Sequence, residues 1–189
     1  MRGDDGFVTN LGVSRALEVF VLAGHPDDLP RMQQLLTRVP LDADLLSAIA
    51  RFGCVTSWAM LLHALADSDL ADDAAHALEI LFGPLVDERG GDVNNVRAWQ
   101  QAIAARRLDP AVRLRRGAPW SPSTLATECR SGALSTYELE GRLDELTVRL
   151  GATIGADLRL WLSDTSTALE QALVHANNLG RTFAPGTWG

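Results

Sequence analysis

Four histidines and several closely spaced carboxylates are the first groups in this 189-residue chain to weigh for chemistry. His63 and Asp67 stand four apart, as do Asp72 and His76, a spacing that puts each pair on one side of a helix. Two such pairs on facing helices would supply nitrogen and oxygen ligands to a metal ion. Neither pair forms HExxH, and the spacing arises readily by chance, so separate surface or helix-end groups are the expectation and no metal or other cofactor is assigned. The neighbouring carboxylates Asp27 and Asp28, and Asp72 and Asp73, cannot face one another across a cleft as a glycosidase pair must. They suit the first turns of helices, where they answer unpaired backbone N–H groups.

Nucleophiles are no better placed. Ser121 precedes Pro122 and Ser135 precedes a helical pattern, so both read as caps, and no GxSxG elbow occurs. The GATIG run at 151–155 lacks the strand and the spacing of a dinucleotide fingerprint, and reads as a turn. Cys54 and Cys129 form no CxxC pair, which fits buried free thiols in a reducing compartment. No catalytic residue is assigned.

All seventeen basic residues are arginines, which removes both a Schiff-base lysine and the ordinary P-loop. Arg106, Arg107, Arg113, Arg115 and Arg116 fall within eleven positions, opposed only by Asp109. Residues 1–105 carry seven arginines against fifteen carboxylates, a net charge of −8, so the cluster can neutralise that half or grip an acidic protein partner. Arg113, Arg115 and Arg116 are the candidate contacts. Trp120, fixed between Pro119 and Pro122, is a candidate anchor, with packing onto the last helices as the competing expectation. A formal charge of −7 disfavours general affinity for nucleic acid.

These groups must be positioned by helices. The composition is 47% hydrophobic, enough for a sizeable core, and period-two alternation is nearly absent. Gly24, Gly53 and Gly83 close apolar segments at intervals of 29 and 30 residues, each with apolar side chains three and four apart and a glycine suited to a left-handed stop. Partner helices come after the glycines, with Met32, Leu35, Leu36 and Val39 in one buried stripe and Val55, Trp58, Ala59, Leu62 and Leu65 in the next. Antiparallel pairing across Gly53 is expected. A loose connector at Gly90 and Gly91 leads to a helix carrying Val96, Trp99, Ile103 and Ala104, which completes a third pair.

The division predicted is therefore three helix pairs over 11–106, an arginine-rich connector over 107–120, a helical carboxyl-terminal region over 121–178 and a tail over 179–189. Within the third part, a helix capped by Ser121 and stopped at Gly132 precedes one with Leu139, Leu143, Leu146 and Leu150 inside and Glu138, Glu140, Arg142, Asp144, Glu145 and Arg149 toward solvent. Gly141 is not expected to break it. The last helix is expected over 157–175, and one or both of Phe183 and Trp188 of the tail to pack against the preceding helices. No amino-terminal signal peptide is legible and no apolar run approaches the ~20 residues a membrane helix needs, so a cytoplasmic protein without membrane insertion is expected.

The glycine-closed helix pairs of residues 11–83 resemble short bacterial HEAT-like repeats, although the Asp-Pro turn common in such repeats is replaced by Pro40-Leu41-Asp42 and Ser68-Asp69-Leu70. Arg115, Gly117, Pro119, Trp120, Pro122, Leu125, Gly132, Leu134, Arg142, Leu143, Glu145, Leu146, Gly151 and Trp161 resemble the carboxyl-terminal part of bacterial HEAT-repeat proteins, some of them associated with contractile secretion systems. The resemblance implies an all-α fold, a short α-solenoid with a helical carboxyl-terminal region. It implies a non-enzymatic adaptor or accessory subunit that binds protein, with secretion association by resemblance alone. The alternatives are a HEAT-like DNA-repair glycosylase, which needs a basic groove, and a structural subunit of a larger assembly, a homo-oligomer included.

Overall fold

The computed structural model describes residues 4–86, 92–131, 134–151 and 162–179. Among them the chain is all-α apart from one very short hairpin, and it divides into two compact units between Ala118 and Pro119.

The first unit contains α1 (Asp4–Ala23), α2 (Leu29–Leu36), α3 (Ala43–Phe52), α4 (Trp58–Leu65), α5 (Ala71–Phe82) and α6 (Val96–Ala104). Asp42 starts α3 by accepting the Leu45 N–H at 2.9 Å, and Asn95 starts α6 by accepting that of Ala98 at 3.1 Å. Asp28 does not cap α2 as expected; a 3-10 turn over Pro26–Asp28 intervenes, and its carboxylate accepts the His25 N–H instead. Leu17, Val21, Met32, Leu46, Ile49, Phe52, Leu61, Leu78, Phe82 and Trp99 form the centre of the core. Trp58, expected within the apolar band, is only half-buried and Ala59 is exposed. The 3-10 turn at Val55–Ser57 shifts the phase of the helix after it, so the buried row of α4 is Leu61, Leu62, Ala64 and Leu65.

Helix α3 packs between α1 and α5, while α4 packs on α5 and α6. The close pairing expected across Gly53, α3 with α4, is not among the tight ones, nor is α5 with α6. The reason lies at Gly53 itself. It ends α3 in the left-handed conformation (φ 81°), and the next residue, Cys54, pairs antiparallel with Arg113, so a distant segment takes the place beside the helix end.

That segment closes two helices at once. The Leu114 N–H donates to Gly53 O at 2.9 Å, the Arg116 N–H to Ile80 O at 2.8 Å and the Gly117 N–H to Leu81 O at 3.0 Å. Residues two apart therefore reach the carboxyl ends of both α3 and α5, which must lie side by side. The end of α1 joins them: a Cβ on Gly24 would sit 2.9 Å from the Phe52 ring. The glycine period thus reports a shared edge of close backbone approach, and only Gly53 among the three has the left-handed conformation expected of all.

The segment expected as a featureless connector contains a hairpin, β1 (Leu114–Arg115) and β2 (Ala118–Pro119). Arg116 (φ 50°) and Gly117 (φ 77°) form its turn, both at the positive φ that a two-residue type I′ turn requires. Gly117 has no alternative, since a Cβ there would lie 2.4 Å from Phe82 O. Arg116 is the one non-glycine residue at positive φ among the described residues, and that conformation costs about 1–2 kcal/mol. Arg116→Gly removes the strain, keeps the capping N–H and adds chain entropy to the unfolded state. Its unfolding free energy from urea titration is expected to equal or exceed the parent's, by up to about 1 kcal/mol; a clear fall would show that the guanidinium supports the fold.

The second unit contains α7 (Pro122–Arg130), α8 (Thr136–Leu150) and α9 (Leu162–Leu179), packed on one another. Ser121 caps α7 by accepting the Thr124 N–H at 3.0 Å, as expected. Ser135 and Glu138 form a reciprocal capping box on α8, which runs unbroken through Gly141 and stops at left-handed Gly151. Trp120, Leu125, Ala126, Cys129, Leu143, Leu146, Leu173 and Ala176 make the core. The expectations for Gly90, Gly91, Gly132, residues 152–161 including Trp161, and the tail with Phe183 and Trp188 lie outside the described residues. No helix among the described residues is long and apolar enough to cross a membrane.

Candidate functional site

The arginine cluster divides by depth. Arg113 and Arg115 are fully buried in the first unit. Arg113 donates from Nε to Phe52 O at 3.1 Å and from Nη2 to Arg51 O at 3.5 Å, and Arg115 donates from Nη2 to the same Arg51 O at 3.1 Å. Both cations therefore lie at the carboxyl end of α3, where exposed carbonyls and the helix dipole favour positive charge. These three bonds go to main-chain oxygens. Being inaccessible, neither side chain can touch a partner. Arg51, itself buried, crosses to α1 and pairs with Glu18 at 3.1 Å.

Arg106, Arg107 and Arg116 are exposed. The Arg106 guanidinium lies against the hairpin turn, since its Nη1 would be 2.9 Å from a Cβ on Gly117. Among the described residues none of these three guanidiniums makes a hydrogen bond or an ion pair. Of the expected contact residues, only Arg116 is thus available to a partner. Arg106 belongs beside it, its guanidinium lying against the hairpin turn, and Arg107, exposed, follows Arg106 in sequence.

Trp120 is not an exposed anchor. It is fully buried in the second unit and donates from Nε1 to Glu145 Oε1 at 2.9 Å. The Arg149 guanidinium stands 5.9 Å from the centre of its ring, within reach of a cation–π attraction. One turn away, Arg142 Nε donates to Glu128 Oε1 at 3.1 Å, with both side chains at most 5% exposed. Arg142, Glu145 and Arg149, expected toward solvent, are all buried. Their three- and four-residue spacing gives α8 a polar seam beside Leu143 and Leu146, and the charges tolerate burial because partners meet them. Buried in this way, Glu128 and Glu145 act as acceptors within the fold.

No protein-family model, curated protein or solved structure matches this chain.

The remaining groups serve turns and helix ends. His63 and His76 are exposed; Asp67 accepts the Asp69 N–H at 3.0 Å, and Asp72 accepts from Asn94 Nδ2 at 2.7 Å. His25 and Asp27 lie 3.3 Å apart at the surface, where such a pair contributes little. No group of three or more histidine, cysteine, aspartate or glutamate residues among the described ones is placed to hold a metal. Cys54 and Cys129 are buried thiols, and Cys54 Sγ sits 3.1 Å from Thr56 Oγ1.

Proposed function

We propose that the chain is a non-enzymatic α-helical interaction module, an adaptor or accessory subunit that binds another protein in the cytoplasm. The observation that carries this reading is the shared edge of α1, α3 and α5, brought side by side and closed by residues 113–117. Helices stacked in this way make a stiff platform, and repeat proteins use such platforms to hold partners without a catalytic pocket. The HEAT-like solenoid is the proposed architecture of the first unit, its pairing loosened where α4 packs on α5. The strongest chemical groups agree with this role, because Arg113, Arg115, Glu128 and Glu145 serve internal bonds. Resemblance to HEAT-repeat proteins associated with contractile secretion makes such a complex the first place to look for the partner.

The test is recovery of the full chain from its own cells under native conditions after mild crosslinking, followed by mass measurement of the intact complex. A protein partner in fixed stoichiometry is expected. Recovery of the chain as a bare monomer, with and without crosslinking, would remove the adaptor and subunit readings together.

A further inference from the structure

The hairpin turn offers a place where that partner is gripped. Main-chain N–H groups of Arg116 and Gly117 close α5, so the fold uses the backbone at position 116 and asks nothing of its side chain. Glycine or asparagine would relax a left-handed position, yet an arginine stands there, exposed and under strain. Arg106 lies against the same turn, and Arg107 adjoins it in sequence. Arg116 in the turn and Arg106 against it thus present guanidiniums without an internal bond among the described residues, with exposed Arg107 next to Arg106 in sequence. Guanidinium presents a planar fork of donors matched to carboxylates. Seated on a hairpin anchored to two helix ends, the Arg116 fork loses less freedom on binding than it would on a loose loop.

We infer that Arg106, Arg107 and Arg116 form a docking point for a short acidic segment of a partner protein. This rests on the interaction-module reading and names the partner's chemistry. A short segment fits better than nucleic acid, whose continuous charge would run beyond the patch onto a chain of net charge −7.

The experiment titrates the full chain with a fluorescein-labelled peptide carrying four consecutive glutamates between neutral Gly-Ser flanks, read by anisotropy at low and at about 0.15 M salt. Its glutamine counterpart and a single-stranded DNA oligomer serve as competing probes. The acidic peptide is expected to bind in a salt-sensitive manner and the glutamine peptide not to bind. Arg116→Gly should weaken binding several-fold and the Arg106→Gln, Arg107→Gln, Arg116→Gly variant by roughly tenfold or more, with neither unfolding midpoint lowered. Absence of binding by the parent chain at low salt overturns the inference. So does unchanged binding in the triple variant, equal binding of the glutamine peptide, or DNA binding as tight as that of the acidic peptide. A lowered midpoint in both variants also overturns it, since the arginines would then be counter-charges of the helix ends. If the triple variant still recovers a native partner, the module stands and only this contact falls.

Discussion

Replacing Trp120 with alanine is expected to cost roughly 3–5 kcal/mol of unfolding free energy in the second unit, the largest loss of any apolar truncation there. The ring is fully buried at the centre of a core made from only three described helices, so neighbouring side chains cannot collapse fully into the space it leaves. Its removal also takes the N–H donor from Glu145, a carboxylate with no exposure of its own, and the π-face from Arg149. Trp120→Phe separates these effects. It keeps most of the apolar volume and is expected to lose about 1–3 kcal/mol for the lost hydrogen bond to buried Glu145. Urea unfolding followed by circular dichroism measures both; a loss below about 1 kcal/mol for alanine would mean that the ring is not a core residue.

Arg142→Ala is expected to be comparably damaging, at about 3–5 kcal/mol, because it takes a guanidinium away from the buried carboxylate of Glu128. The pair itself need not be strongly stabilising, since removing two charges from water is costly. Breaking it is another matter. Lysine at position 142 is expected to restore only part of the loss, having a point charge in place of a planar fork. A double-mutant cycle over Arg142 and Glu128 reads the coupling directly, and a coupling energy near zero would show that the two residues are stabilised by separate neighbours.

The caps of α7 and α8 and the leucine face of α8 are legible in the chain because their signals are local. Ser121 before Pro122, Ser135 three before Glu138 and the leucines of α8 each act within one or two turns of themselves. Features set by distant partners escape. Arg113 and Arg115 look like surface residues because guanidinium is rarely buried, and the carbonyls that receive them belong to residues 61–64 positions earlier. Charge alone points Arg142, Glu145 and Arg149 outward, while the Glu128 and Trp120 that draw two of them inward lie 14 and 25 residues away. The candidate contact shifts for the same reason: Arg106 and Arg116 come together only through a hairpin whose Arg-Gly turn carries no flanking alternation to announce it.

The late arrival of residues 113–117 orders the birth of the protein. A chain made from its amino end exposes α3 and α5 long before the segment that finishes them has been synthesised, so their terminal carbonyls must at first be served by water. Until residue 112 the ends of α3 and α5 stay open, and five more residues close both. The boundary between the two units is thus also a moment in translation: the first unit is completed by the last residues to emerge before the second begins.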